Sequence, residues 1–141
     1  MKMSRTAALT SCAVGASLAL GCFFLTSPTA QGAQEVCSVG NLKGRYVFTG
    51  QGANLHYGTF EFDGTGNFLG KQTSLRSAST FHQREALHGT YTLDADCTGA
   101  MIMEGQLGGT AHWDVFVTAD GKKGRMIRTD AGAKGVRTFE Q

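Results

Sequence analysis

A chain of 141 residues leaves room for one domain of ordinary size. Lys2 and Arg5 are the only charges before residue 33, which leaves 11 basic against 11 acidic residues in the remainder. The domain itself is therefore neutral, and that argues against a generic nucleic-acid footprint.

The chain opens with "MKMSR", a run without charge from Thr6 to Leu25, and a small polar exit, "TSPTAQGAQ". A basic start, an apolar middle and small exit residues read as a secretory signal, forming an N-terminal helix over residues 1–32 that precedes a domain over 33–141. A membrane anchor is the competing reading, but the run is rich in Ala, Ser, Thr and Gly and makes a weak span. Two exits compete. Ala30 and Gly32 suit ordinary cleavage before Ala33. "LALGC" resembles a bacterial lipobox, which implies cleavage after residue 21 and lipid on Cys22, the one route to membrane attachment besides the signal. The expected location is the periplasm or the outside of the cell, with lipid anchoring at the envelope as the alternative.

Export decides the reading of the cysteines. Cys12 leaves with the signal, and Cys22 leaves or carries lipid. Cys37 and Cys97 remain in an oxidising compartment, so a Cys37–Cys97 disulfide is expected. It closes a loop of about sixty residues, worth ~3–4 kcal/mol in the chain-entropy model.

From residue 33 onward there is no proline, glycine is dense, and no helical apolar period appears. Strand patterns recur instead: 44–50, 57–64, 67–75, 87–93, 99–105, 110–118, 124–130 and 134–140. Turns rich in Asp and Gly, "DGTGN" and "ADGKK", join several of them. The stretch 76–86, "RSASTFHQREA", reads as a loop or a single helical turn. Eight sequential strands with short turns hide their edges best in a closed antiparallel up-and-down barrel; a β-sandwich is the alternative. Alternation places Tyr46, Phe48, Phe60, Phe62, Phe68, Tyr91, Leu93, Met101, Met103, Trp113, Val115 and Val117 on the inner face.

The phrases "FDGTGN" and "GTYTLDADCTG", within the order of strands from Cys37 to Gly132, resemble a family of small secreted bacterial proteins. They are grouped with the allene oxide cyclase barrel-like, or calycin-like, domains. The resemblance covers the whole domain and implies an eight-stranded antiparallel barrel. It implies no activity: cyclases share this barrel, but a shared fold does not transfer function.

Chemistry is sparsely signalled. "HQREALH" (His82, Glu85, His88) lacks the helical H-E-x-x-H spacing of zinc proteases. His112 and Asp114 alternate outward, where they can pair on the surface, and a metal cluster with His56 would need a further H-x-H pattern. "DGTGN" and "DADCTG" lack calcium-loop spacing. "GKKGRMIR" reads as a hairpin and a solvated face. No metal, phosphate loop, nucleophile or cofactor motif stands out. The remaining functional reading is a non-catalytic binder of a small apolar ligand or a surface partner. Tyr46, Phe48, Phe60, Phe62, Tyr91, Met101, Met103 and Trp113 would line the pocket, the two tyrosine hydroxyls would serve as polar handles, and Arg128 and Arg137 could meet a carboxylate. Competing readings are a cyclase- or isomerase-like enzyme, with Glu61 and Glu104 as its only candidate acids, and a structural domain with a solid core.

Overall fold

The computed structural model describes residues 36–76, 80–107 and 109–141. The signal segment and Cys22 lie outside the described residues. Eight strands follow one 3-10 turn, Val39–Asn41: β1 (Lys43–Gly52), β2 (Leu55–Asp63), β3 (Asn67–Leu75), β4 (Phe81–Tyr91), β5 (Thr98–Gly105), β6 (Gly109–Val117), β7 (Lys123–Arg128) and β8 (Gly135–Glu140). Each pairs antiparallel with its sequence neighbours, and β8 returns to β1, closing the barrel. Closure leaves no free sheet edge. Among the described residues no helix is long and apolar enough to cross a membrane.

The expected inner face is buried throughout, joined by Leu42, Leu87, Met126 and Phe139. The expectation for 76–86 fails over most of its length, because β4 begins at Phe81. Its pairing with β3 shifts register between Gln72 and Ser74, so Gln83 and Arg84 oppose Thr73 alone. This bulge interrupts the period of two by which a strand is recognised. Arg84 turns the bulge with φ +52°, uncommon for a residue with a side chain. The bulge sets Glu85 pointing inward, opposite Gln72.

The two ends of the barrel differ. At the end carrying the β2–β3, β4–β5 and β6–β7 turns, the interior is aromatic. Phe62 meets Tyr46 and Tyr91 edge-on, with ring centroids 5.2 and 5.0 Å away. Phe60, Phe68 and Phe139 complete the cluster. Such pairings add to the burial of the rings themselves.

The segment ahead of β1 plugs this end. Leu42 is 0% exposed. Tyr91 Oη donates to the carbonyls of Val39 and Leu42, and Asn41 Nδ2 donates to that of Ala119. Tyr46 Oη donates to the Gly121 carbonyl. The Cys37–Cys97 disulfide pins the segment to the β4–β5 turn, with the two Cα atoms 5.0 Å apart. The Cys37 amide also donates to the Ala95 carbonyl.

Candidate functional site

Following the inward positions toward the other end, the side chains change character. After Phe62 and Phe60, β2 presents His56; after Phe68, β3 presents Gln72 and Ser74; after Tyr91 and Leu87, β4 presents Glu85; after Phe139, β8 presents Arg137. Here a cavity of about 280 Å³ opens between the β1–β2, β5–β6 and β7–β8 connections, with all eight strands contributing to its wall. Its size is at the small end for ligand sites.

Arg137 lies at its base, 5% exposed. The guanidinium sits between Phe48 and Trp113, 4.8 Å from each ring centroid, an arrangement that favours a buried cation. Nη2 donates to Gln72 Oε1 at 3.1 Å, and among the described residues Nη1 meets only the weakly accepting sulfur of Met103. Nε has no partner among the described residues. Burial, and then the nearby Arg128, lower the Arg137 pKa to about 10, so the side chain stays charged at neutral pH.

Glu85 is 3% exposed. Its Oε2 accepts from Gln72 Nε2 at 3.0 Å and from Arg76 Nη2 at 3.4 Å, and its Oε1 accepts the Leu107 amide at 3.0 Å. Burial pushes its pKa up, but the bonds from Gln72, Leu107 and Arg76 outweigh burial and hold it below the ordinary value. Gln72 thus bridges Glu85 to Arg137. Two glycines make room for these charged side chains. A Cβ on Gly50 would lie 2.7 Å from Arg137 Cγ, and one on Gly105 would lie 2.7 Å from Glu85 Oε1.

The charges around the cavity do not cancel. Arg76 is matched by Glu85, and Arg128 Nε is held by Asp130 Oδ2 at 2.6 Å. Arg137 has no carboxylate of its own among the described residues. Further buried polar atoms lack hydrogen-bond partners there: Trp113 Nε1, Arg76 Nε and His56 Nδ1, all on side chains lining the cavity. Unmatched buried polar groups are costly, and they concentrate where a ligand completes them.

His56 is kept neutral. Burial first, then Arg137 and Arg76, lower its pKa to about 4, against a weaker upward pull from Glu85 and Gln72. The unfolded chain therefore takes up this proton first. The stability His56 contributes is complete above pH ~6.5 and is lost as pH falls toward about 4. Between pH 7 and pH 4.5, His56→Gln should lose about 2 kcal/mol less stability than the parent in urea titrations. Parallel stability curves would contradict this assignment.

Of the residues expected to line a ligand pocket, Met103 and Trp113 border the cavity. Tyr46, Phe48, Phe60, Phe62, Tyr91 and Met101 pack below it as core. The Tyr46 and Tyr91 hydroxyls are occupied by backbone carbonyls at the plugged end and are not handles for a ligand there. Of the two arginines singled out, Arg137 points inward, while Arg128 is engaged by Asp130. Glu61 and Glu104 face outward; the buried acid is Glu85. His112 pairs with Asp130, Nδ1 to Oδ1 at 2.7 Å, rather than with Asp114. His88 meets Glu104 on the surface. No group of three metal-ligating side chains converges among the described residues. Asp63 of "DGTGN" is saturated by the amides and side chains of Thr65 and Asn67, as turn chemistry requires. A larger groove, about 620 Å³, runs along the outer surface beside Val47, Phe116 and Arg125, but none of the unpartnered polar atoms lies on its wall.

Compared with family models, curated proteins and solved structures, the chain matches none.

Proposed function

We propose that this barrel is an exported, non-catalytic binding protein that holds a small molecule in the cavity at its open end. One observation carries the reading: one end of the barrel is plugged and filled with aromatic side chains, while the other keeps a cavity lined by side chains that carry buried, unpartnered polar atoms. A structural domain with a solid core has no use for such a cavity. The likeness of "FDGTGN" and "GTYTLDADCTG" to calycin-like secreted proteins agrees with the barrel and with export, not with a particular activity. The signal-like start and the disulfide, which fits an oxidising compartment, support export.

A cyclase- or isomerase-like enzyme is less favoured. Proton transfer calls for a base whose pKa lies near the working pH. Glu85 already accepts three hydrogen bonds that lower its basicity, and His56 is a weak base.

Native mass spectrometry of the mature protein from its own host should show a co-purifying small molecule. Ala111→Phe, which fills the cavity from β6, should lose it, and the milder Ala111→Leu should retain less. A bare parent mass, or an adduct unchanged in both variants, would overturn the proposal.

A further inference from the structure

We propose that the cavity selects a small monoanionic carboxylate with a short apolar body, anchored by Arg137 and the Trp113 indole N–H. The inference rests on the binding role above and adds the chemical class of the ligand.

Charge sets the anion. Among the described residues Arg137 is the one cation of the cavity base without a matching carboxylate, and it remains ionised at neutral pH. A buried, uncompensated cation is costly unless a counter-charge arrives. Of the other cations on the wall, Arg76 and Arg128 are paired and Lys134 lies in the β7–β8 connection at the mouth, so the base itself offers one positive charge, which suits one negative charge. Donor supply points the same way. Arg137 Nε and Trp113 Nε1 are each without a partner and come from neighbouring side chains, since the guanidinium lies over the indole ring. N–H groups on two side chains in contact suit the two oxygens of a planar carboxylate. A phosphate would call for more donors than the base offers, and among the described residues no helix N-terminus lies at the cavity. Leu87, Met103 and Ala111 line the wall beside these groups and suit an apolar body. Arg76 Nε, also unpartnered, adds positive potential toward the mouth.

Trp113 is the only tryptophan, so its fluorescence reports on the site without a label. Hexanoate, hexanamide and inorganic phosphate should be titrated separately into the full mature protein. Hexanoate should bind saturably and at least tenfold more tightly than hexanamide, with phosphate weaker still. Arg137→Gln should erase the preference for acid over amide. Should that variant fold poorly, the acid-to-amide ratio of the parent decides alone. Equal affinity for acid and amide, tighter binding of phosphate, or no saturable response to hexanoate would each overturn the carboxylate assignment while leaving a cavity binder in place. Hexanoate binding unaffected by Ala111→Phe would place the ligand elsewhere and overturn both proposals.

Discussion

Replacing Cys37 and Cys97 together by serine should lower the stability of the domain by about 3–4 kcal/mol and its midpoint of thermal unfolding by roughly 15 °C. Part of the effect is the freedom returned to the unfolded chain, since the bridge spans 60 residues. The rest is local. The disulfide holds the segment that buries Leu42 over the aromatic cluster and presents the carbonyls of Val39 and Leu42 to Tyr91. With the bridge gone, amide exchange should quicken first around Leu42 and Tyr46, while the β3–β4 region near Glu85 stays protected. Thermal melts with and without reductant, followed by exchange measurements, test both parts. A midpoint unmoved by reduction would mean that the plug is held by packing and hydrogen bonds alone.

The second large effect is expected at Glu85. Glu85→Leu removes the acceptor of Gln72, Arg76 and the Leu107 amide, leaves the partly buried Arg76 without its counter-charge and takes away the one carboxylate in the network that reaches Arg137 through Gln72. Breaking a buried charged network by deleting one partner costs about 3–5 kcal/mol. Glu85→Gln keeps the shape and some of the bonds and should cost about 1–2 kcal/mol. The same Glu85→Gln change makes the cavity more positive, so affinity for hexanoate should rise several-fold even as stability falls. Chemical denaturation gives the first quantity and Trp113 fluorescence the second. A Glu85→Gln protein that binds hexanoate more weakly than the parent would count against the charge argument.

The barrel is legible in the sequence because a half-buried strand repeats every two residues. Tyr46 and Phe48, Phe60 and Phe62, and Trp113, Val115 and Val117 show that period openly. The start of β4 is hidden for a physical reason: the extra residue at Gln83–Arg84 breaks the alternation that would have joined Phe81 to Leu87. The plug is hidden because one 3-10 turn has no periodic signature, and its stability comes from distant partners in the β4–β5 and β6–β7 turns.

The site was half visible. Continuing the alternation past the last large apolar residue of each strand leads from Phe60 to His56, from Phe68 to Gln72 and Ser74, from Leu87 to Glu85 and from Phe139 to Arg137. An inner face defined by large apolar residues stops short of all of these, and on β2 and β3 Gly58 and Gly70 widen the gap. Arg137 could be read as a carboxylate partner from its residue type. Its burial between Phe48 and Trp113 depends on the closure of β8 onto β1, which local sequence does not show.

The central claim is that the base of the open-end cavity completes its hydrogen bonding with a bound carboxylate. As the chain has one tryptophan, its indole N–H gives a single resonance, and that N–H is one of the two proposed donors. Titrating hexanoate into nitrogen-15-labelled protein should move this resonance downfield to saturation, together with the Arg137 Nε–H signal. Hexanamide should leave both nearly in place. An indole signal that stays fixed under hexanoate, or moves equally with the amide, would contradict the account.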